Sequence, residues 1–455
     1  MEDPLATPDD ARPVRSLDDL LFPFHEGETE RSRFRVGTEL EKIGILVPER
    51  APLPYEGDRG IKAVFALLIA HHGWFEEREH DGGEVISLRR GETSITLEPG
   101  GQFELSGAPH ETVHQICAEF RCHMKELEDI SRELGIVWLG LGFHPFARPE
   151  ELPEVPKLRY GIMREYMPSR GPLALDMMTR TATVQANLDF SNEDDAMRKL
   201  RLSLAIAPVM SAMFANSPFM ERGLSGDRSR RVRVWLGMDP DRSGLLPFAW
   251  NEAARYRDYA EWALDVPMFM VKRGNTVLRN TGQTFRAFMA DGYRGATATG
   301  GDWESHLQTL FPEARLKRTL EVRCADSQDG SMVCALPAIS KGLLYDDEAL
   351  SALEKFVAPL DYDTVQASRD GIAKDALRAK LGGREVSEWA AELLDIAEGG
   401  LARLSHLNGN GDDERVHLKV LRALVSDGKC PADLLIERVE GGDSFEEAVL
   451  THARV

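Results

Sequence analysis

The sequence predicts an α+β protein that ends in a helical segment. Two observations point there. Over residues 31–345, strand-like runs are separated by helix-spaced runs and long loops, with no hairpin-only rhythm. From 346 to 455 the apolar spacing is helical throughout, broken only by Gly-rich or acidic turns. A chain of 455 residues is long enough for about three domains, or for one large domain with an appendage. The opening stretch MEDPLATPDDARPVRSLDD is acidic and Pro-rich and lacks the apolar core of a secretory signal. Residues 1–30 are therefore expected to be a flexible tail, 31–345 a sheet-and-helix domain, and 346–455 a helical segment packed on it.

The elements follow in order. FRVGTELEKIGI (34–45) has the apolar residues of a buried strand, yet Glu39 and Glu41 sit two apart within it. Strand side chains alternate faces, so these two carboxylates point the same way. GIKAVFALLIAHHG (60–73) and HETVHQICAEFRCHMKELEDISRELG (110–135) are helix-spaced and close on glycine. ITLEPGGQFELSGAP (95–109) places Glu98 and Glu104 on either side of a Pro-Gly-Gly break, where glycine permits a tight turn. IVWLGLGFHPF (136–146) and TRTATVQANLDF (179–190) read as strands, and 193–217 as a helix carrying Pro208. RSRRVRVWLG (228–237) is strand-like, and RLKRTLEVRCAD (315–326) is a further strand.

Composition excludes some partners. Lys and Arg total 55 against 75 Asp and Glu, a net charge of −20, so neither nucleic acid nor an anionic membrane is expected to bind. No apolar run reaches the about 18 residues of a membrane span. The five cysteines (Cys117, Cys122, Cys324, Cys334 and Cys430) are too few for a disulfide scaffold. No zinc-ligand spacing joins them, so reduced, buried thiols in a cytoplasmic protein are expected. His144 and His306 lack partner motifs and read as structural.

The polar strand faces carry the chemistry. In 179–190, Thr179, Thr181, Thr183, Gln185, Asn187 and Asp189 share one face. In 315–326, Lys317, Thr319, Glu321 and Arg323 do the same. Each face taken singly fits a solvated antiparallel sheet. Taken together, Glu39, Glu41, Glu98, Glu104 and Glu321 are five carboxylates able to converge. Clustered carboxylates raise one another's pKa and stay ionised only beside positive charge. Hard divalent cations bind such oxygen sets, and Mg²⁺ commonly shares its shell with phosphates. Among Arg228, Arg230, Arg231 and Arg233, a solvated face and an inward-facing anion binder are equally consistent with the spacing. The chain has no GxxxxGK[ST] and no GxGxxG after a strand.

FRVGTELEK, ITLEPGGQFELSGAP, LDMMTRTATVQANLDFS, MFANSPF, RSGLLPF, ALDVPM and CALPAISKGLLYD together resemble the plant-type glutamate–cysteine ligases, a family also found in many bacteria. The likeness runs in order from about 34 to 346. It implies a glutamine synthetase-like fold: a curved, mainly antiparallel sheet, flanked by helices, with the active site on its concave face. It implies Glu39, Glu41, Glu98, Glu104 and Glu321 as ligands to two or more Mg²⁺ ions. It places Arg323 at the phosphates of ATP and Arg231, with Trp235, at the carboxylates of glutamate. Thr181, Thr183, Gln185 and Asn187 would floor the amino-acid pocket. Cys324 stands where the family pattern has what looks like glycine, and the cysteine-based regulation of plant members is not carried over.

The implied reaction joins glutamate to cysteine with ATP, through a γ-glutamyl phosphate, in the first step of glutathione synthesis, by a monomer or homodimer. Two other readings stay open. One is a related ATP-dependent ligase using another amine or serving another thiol pathway. The other is a non-catalytic sheet protein that binds cations or a partner on its acidic face.

Overall fold

The computed structural model describes residues 11–80, 82–273, 276–330 and 332–455. Among them, ten strands form the main sheet. They are β1 (Val36–Leu46), β2 (Ala51–Pro52), β3 (Phe75–Arg78), β4 (Val85–Arg90) and β5 (Thr93–Leu97). β6 (Phe103–Ser106), β7 (Ile136–Leu139), β8 (Thr183–Leu188), β9 (Ala314–Leu316) and β10 (Leu320–Asp326) complete it. The path is β9-β10-β8-β1-β6-β5-β4-β3, antiparallel at every step. The far end of β1 leaves this path to pair with β2 and β7. The fold is thus the helix-flanked, mainly antiparallel sheet that the sequence implies.

Register explains why the site lies where it does. Glu41 stands opposite Glu104, and Glu39 opposite both Ser106 and Gln185. Asn187 stands opposite both Gly37 and Glu321. Four central strands therefore turn polar residues to one face. The residues between them, Leu40, Lys42, Val184, Ala186 and Leu188, are buried. Helices Val113–Leu134, Glu193–Met213 and Ala335–Leu344 pack on the sheet. The helix Val113–Leu134 starts at a Thr112–Gln115 capping box and stops at Gly135, whose φ of 65° is the left-handed closure glycine favours. One hydrophobic cluster runs from Val14 through Leu350, Leu393 and Leu421 to Ala432, so the C-terminal helices share the sheet's core.

Several expectations need correction. Residues 1–10 of the expected tail lie outside the described residues, but 18–27 form two short helical turns with Leu20 and Phe24 fully buried. Residues 228–237 are not a strand. Ser229 accepts the Val232 N–H at 3.0 Å and opens the helix Arg230–Leu236. Residues 315–326 are not one strand but the hairpin β9–β10, in which Arg315 stands opposite Glu321. The stretch 179–190 begins as the end of the helix Ala174–Arg180. Thr179 and Thr181 turn their hydroxyls back to the carbonyls of Leu175 and Met177, at 2.8 and 2.6 Å. Strand β7 ends at Leu139, short of Pro145. Beyond 346, Lys380–Leu381 and Arg384–Glu385 form a small strand pair. The cysteines are not all buried thiols: Cys117 and Cys334 form a disulfide, and Cys122 is exposed.

Candidate active site

The acidic face begins with Glu104, whose neighbours lie on both sides of it. On β1 it meets Glu41, and its oxygen accepts from the Ser106 hydroxyl. Glu41 accepts the backbone N–H of Thr183 at 3.0 Å. Glu39 accepts from the Asn187 amide at 3.2 Å. Glu98 arrives from the Pro-Gly-Gly turn, closed by hydrogen bonds from Glu98 N–H to Gln102 O (3.0 Å) and Gly101 N–H to Glu98 O (2.9 Å). Gly100 is required there: a Cβ would lie 2.1 Å from the Thr179 carbonyl oxygen. Close packing on the helix Ala174–Arg180 thus carries Glu98 to the cluster.

Charge is distributed unevenly. Burial, then Glu321 and Glu104, push the Glu39 carboxyl up to about 7. Burial, then Glu98 and Glu104, raise Glu41 well above the carboxylate range. Burial and then Glu98 also raise Glu104. Glu321 goes the other way. Burial opposes its charge, but Arg315, Lys317 and Arg323 overcome that and hold it well below its ordinary value. Arg315 grips it with two nitrogens, at 2.5 and 2.9 Å, while Arg323 lies at 3.0 Å and Lys317 at 3.4 Å.

A cleft opens beside this face. Its lining includes Glu41, Glu98, Thr181, Thr183, Gln185, Arg231, Trp235 and Arg323. Arg231 and Trp235 are four apart on one short helix, so they share its inward side. Arg231 donates to the Arg323 carbonyl at 2.8 Å, and Arg323 to the Gln185 amide oxygen at 2.8 Å. The buried indole N–H of Trp235 has no partner among the described residues, leaving a donor for a bound ligand. Asn187 is not in the cleft lining and serves Glu39 instead. The hydroxyls of Thr181 and Thr183 donate to the carbonyls of Met177 and Ala325, both at 2.6 Å, so these residues shape the floor rather than offer donors. Glu39, Glu104 and Glu321 also lie outside the lining, on the neighbouring stretch of sheet. His144 and His306 bond backbone groups, as structural histidines do.

The donor set fits a hard cation at one end only. Glu39, Glu41, Glu98 and Glu104 are oxygen ligands, and burial with mutual repulsion raises Glu39, Glu41 and Glu104. Glu321 is already matched by three side-chain cations. Sequence reasoning missed Arg159 and Tyr160, which line the cleft from the helix Leu158–Tyr166. It also missed Lys157 and Arg315. Tyr160 donates to the Leu97 carbonyl at 2.7 Å and lies 3.4 Å from Glu98. Burial, then Arg159, lower Lys157 to about 8. The first three sit on a short helix and its approach, without a periodic strand face to single them out.

The family model "Glutamate-cysteine ligase family 2" matches residues 35–452. A chloroplastic glutamate–cysteine ligase of Arabidopsis thaliana is 41% identical over 427 residues, covering 93% of this chain and 80% of that protein. Glutamate–cysteine ligase B, chloroplastic, of Oryza sativa subsp. japonica is 40% identical over 426 residues, covering 93% and 84%. Among solved structures, the glutamate–cysteine ligase of Francisella tularensis in complex with AMP superposes with a TM-score of 0.55 at 12% identity. It covers 92% of this chain and 87% of that one. A bifunctional glutathione synthetase from Pasteurella multocida gives 0.52 at 12% identity, covering 96% and 53%. These two likenesses speak to the fold. The expectation of a cytoplasmic protein is overturned, because the curated relatives are chloroplastic proteins. Among the described residues no helix is long and apolar enough to cross a membrane.

Proposed function

The chain belongs to glutamate–cysteine ligase family 2, and from that premise we propose how its cleft performs the ligation. The protein is an ATP-dependent carboxylate–amine ligase that joins the γ-carboxylate of glutamate to the amine of cysteine, the first step of glutathione synthesis. A carboxylate is a poor electrophile, so ATP first converts it to a γ-glutamyl phosphate with release of ADP. The cysteine amine then attacks the acyl carbon and expels phosphate.

One observation carries the assignment of roles: a buried cluster of mutually repelling carboxylates lies directly beside a cleft lined by Arg159, Arg231 and Arg323. Arg231 and Arg159 hold the carboxylates of glutamate, with the Trp235 N–H as a further donor. Arg323, oriented by Glu321 and Gln185, meets the phosphoryl group in transfer. Glu39, Glu41, Glu98 and Glu104 would hold Mg²⁺, which when bound supplies charge neutralisation for the phosphates. Glu321 acts as the anchor of Arg315 and Arg323. All these residues belong to one chain, so the reading needs no second copy.

The test is ADP release with glutamate and, in turn, cysteine, 2-aminobutyrate, alanine, methylamine and ammonia. Cysteine is expected to give the highest kcat/KM. 2-Aminobutyrate should work as an isostere, since the amine rather than the thiol is the nucleophile. Ammonia or methylamine as the best acceptor would reassign the chain to another ligase of the same architecture.

A further inference from the structure

A second cluster lies apart from the cleft lining, where three distant segments meet. Cys117 comes from the helix Val113–Leu134, Cys334 from the N-cap of the helix Ala335–Leu344, and His417 from the turn Glu414–Leu418. One ligand atom from each lies within 4.8 Å of the other two. The disulfide accounts for the two sulfurs but not for the histidine.

The proton positions follow from the partners. His114 Nε2 lies 3.3 Å from the His406 carbonyl oxygen, which can only accept, so His114 carries its hydrogen on Nε2. His114 Nδ1 is then an acceptor, and His417 Nε2 lies 2.9 Å from it, so His417 carries its hydrogen on Nε2. The remaining nitrogen, His417 Nδ1, presents a bare lone pair 3.4 Å from the Cys117 sulfur. A disulfide sulfur has no hydrogen to offer it. A histidine with one nitrogen bare and the other N–H held by an outer partner is the arrangement found at metal ligands.

We propose that, once the disulfide is reduced, Cys117, Cys334 and His417 bind one thiophilic divalent cation of the zinc class. Water would complete the fourth position. A dithiol reductant supplies two electrons and two protons, opening the S–S bond to two thiols while it becomes a disulfide itself. The cation then displaces both thiol protons and takes two thiolates and one neutral imidazole. Tetrahedral zinc with ordinary bond lengths needs a nitrogen-to-sulfur edge of about 3.6 Å and a sulfur-to-sulfur edge of about 3.8 Å. The edge from His417 Nδ1 to the Cys117 sulfur, at 3.4 Å, is already close to that length, and the two bonded sulfurs have to part. Soft thiolates select such an ion over the hard cations suited to the all-oxygen acidic face. The disulfide ties two segments; the metal would tie the turn Glu414–Leu418 to them as well.

The test uses the full chain, reduced with dithiothreitol, desalted anaerobically and titrated with Co²⁺. One equivalent is expected to give a thiolate-to-cobalt charge-transfer band with the visible absorption of a tetrahedral site, and Zn²⁺ is expected to erase both. The oxidised chain should give neither, a comparison that needs no substitution. Cys117→Ser and Cys334→Ser should abolish the band, and Cys122→Ser should leave it unchanged. His114→Ala, which removes the outer partner, should weaken binding by about 10–100-fold, and His417→Ala by at least as much. A reduced chain without the band, or a band surviving in either serine variant at Cys117 or Cys334, would overturn the proposal. Unchanged affinity in His417→Ala would overturn it equally.

Discussion

The two ends of the acidic face contain the same functional group in opposite electrostatic states. At the β9–β10 end, Glu321 is fully buried yet held ionised by Arg315, Lys317 and Arg323. At the β1–β6 end, Glu41 and Glu104 face each other across one register position, and the pKa values of these two are raised. Desolvation penalises both ends alike, so the difference lies in the neighbours. The first end is complete within the chain and works as a support. At the second, the carboxylates raise one another's pKa, and it is the end proposed above to be completed by a cation from outside.

The largest effects should come from breaking the incomplete end. Glu39→Gln and Glu41→Gln keep the shape but remove an anionic ligand. Activity should fall by at least about 100-fold, and the Mg²⁺ concentration for half-maximal rate should rise. The metal-free melting temperature should not fall and is expected to rise, since one member of a repelling set is gone. Near-normal rates with an unchanged Mg²⁺ requirement in both variants would show that this end faces nothing but water.

The complete end should respond in stability first. Arg315→Met leaves Glu321 buried with its bidentate partner removed, a loss of about 3–5 kcal/mol for a broken buried pair. The expected melt is markedly lower with or without Mg²⁺. That metal independence is the contrast with Glu41→Gln, and a melt restored by Mg²⁺ would erase the distinction between the ends.

This contrast also separates what the sequence made legible from what it did not. Alternation along β1 and β8 was enough to put Glu39, Glu41, Gln185 and Asn187 on one face, because strand periodicity is local. The Pro-Gly-Gly turn marked Glu98 and Glu104 for a similar reason. Hairpin β9–β10 was read as one strand, so the Arg315–Glu321 pairing was hidden, and with it the reason Glu321 behaves differently. The run around Arg231 has valines two apart, which mimics a strand; the deciding signal was Ser229, an N-cap residue just ahead of it. Arg159 and Tyr160 come from a short helix placed by tertiary packing, for which no local pattern exists. The Cys117–Cys334 pair joins positions 217 apart and has no spacing signature at all.

Arg231→Lys should have an intermediate effect and tests the cleft between the two ends. Lysine keeps the charge but loses the planar fork that binds a carboxylate with two nitrogens. The KM for glutamate is expected to rise about tenfold or more, with the KM for ATP nearly unchanged. Equal rises in both would assign Arg231 to the phosphates or to general support.

The smallest effect, and the sharpest in sign, belongs to Lys317, which interacts with both ends. It is one of three cations around Glu321, at 3.4 Å, and it also offsets the charge on Glu39. In Lys317→Met, Glu321 keeps Arg315 and Arg323, so the melt should change little. Glu39 loses a neighbouring positive charge that competes with any bound cation. Mg²⁺ should therefore bind the nucleotide-free protein more tightly, by about 3–10-fold for a charge effect of roughly 1 kcal/mol at a partly exposed site. That shift is opposite to the one expected from Glu39→Gln, and titration calorimetry without nucleotide reads both directly. Weaker Mg²⁺ binding in Lys317→Met would mean that the lysine organises the carboxylates rather than competing with the cation, and the two ends would then be one network rather than two.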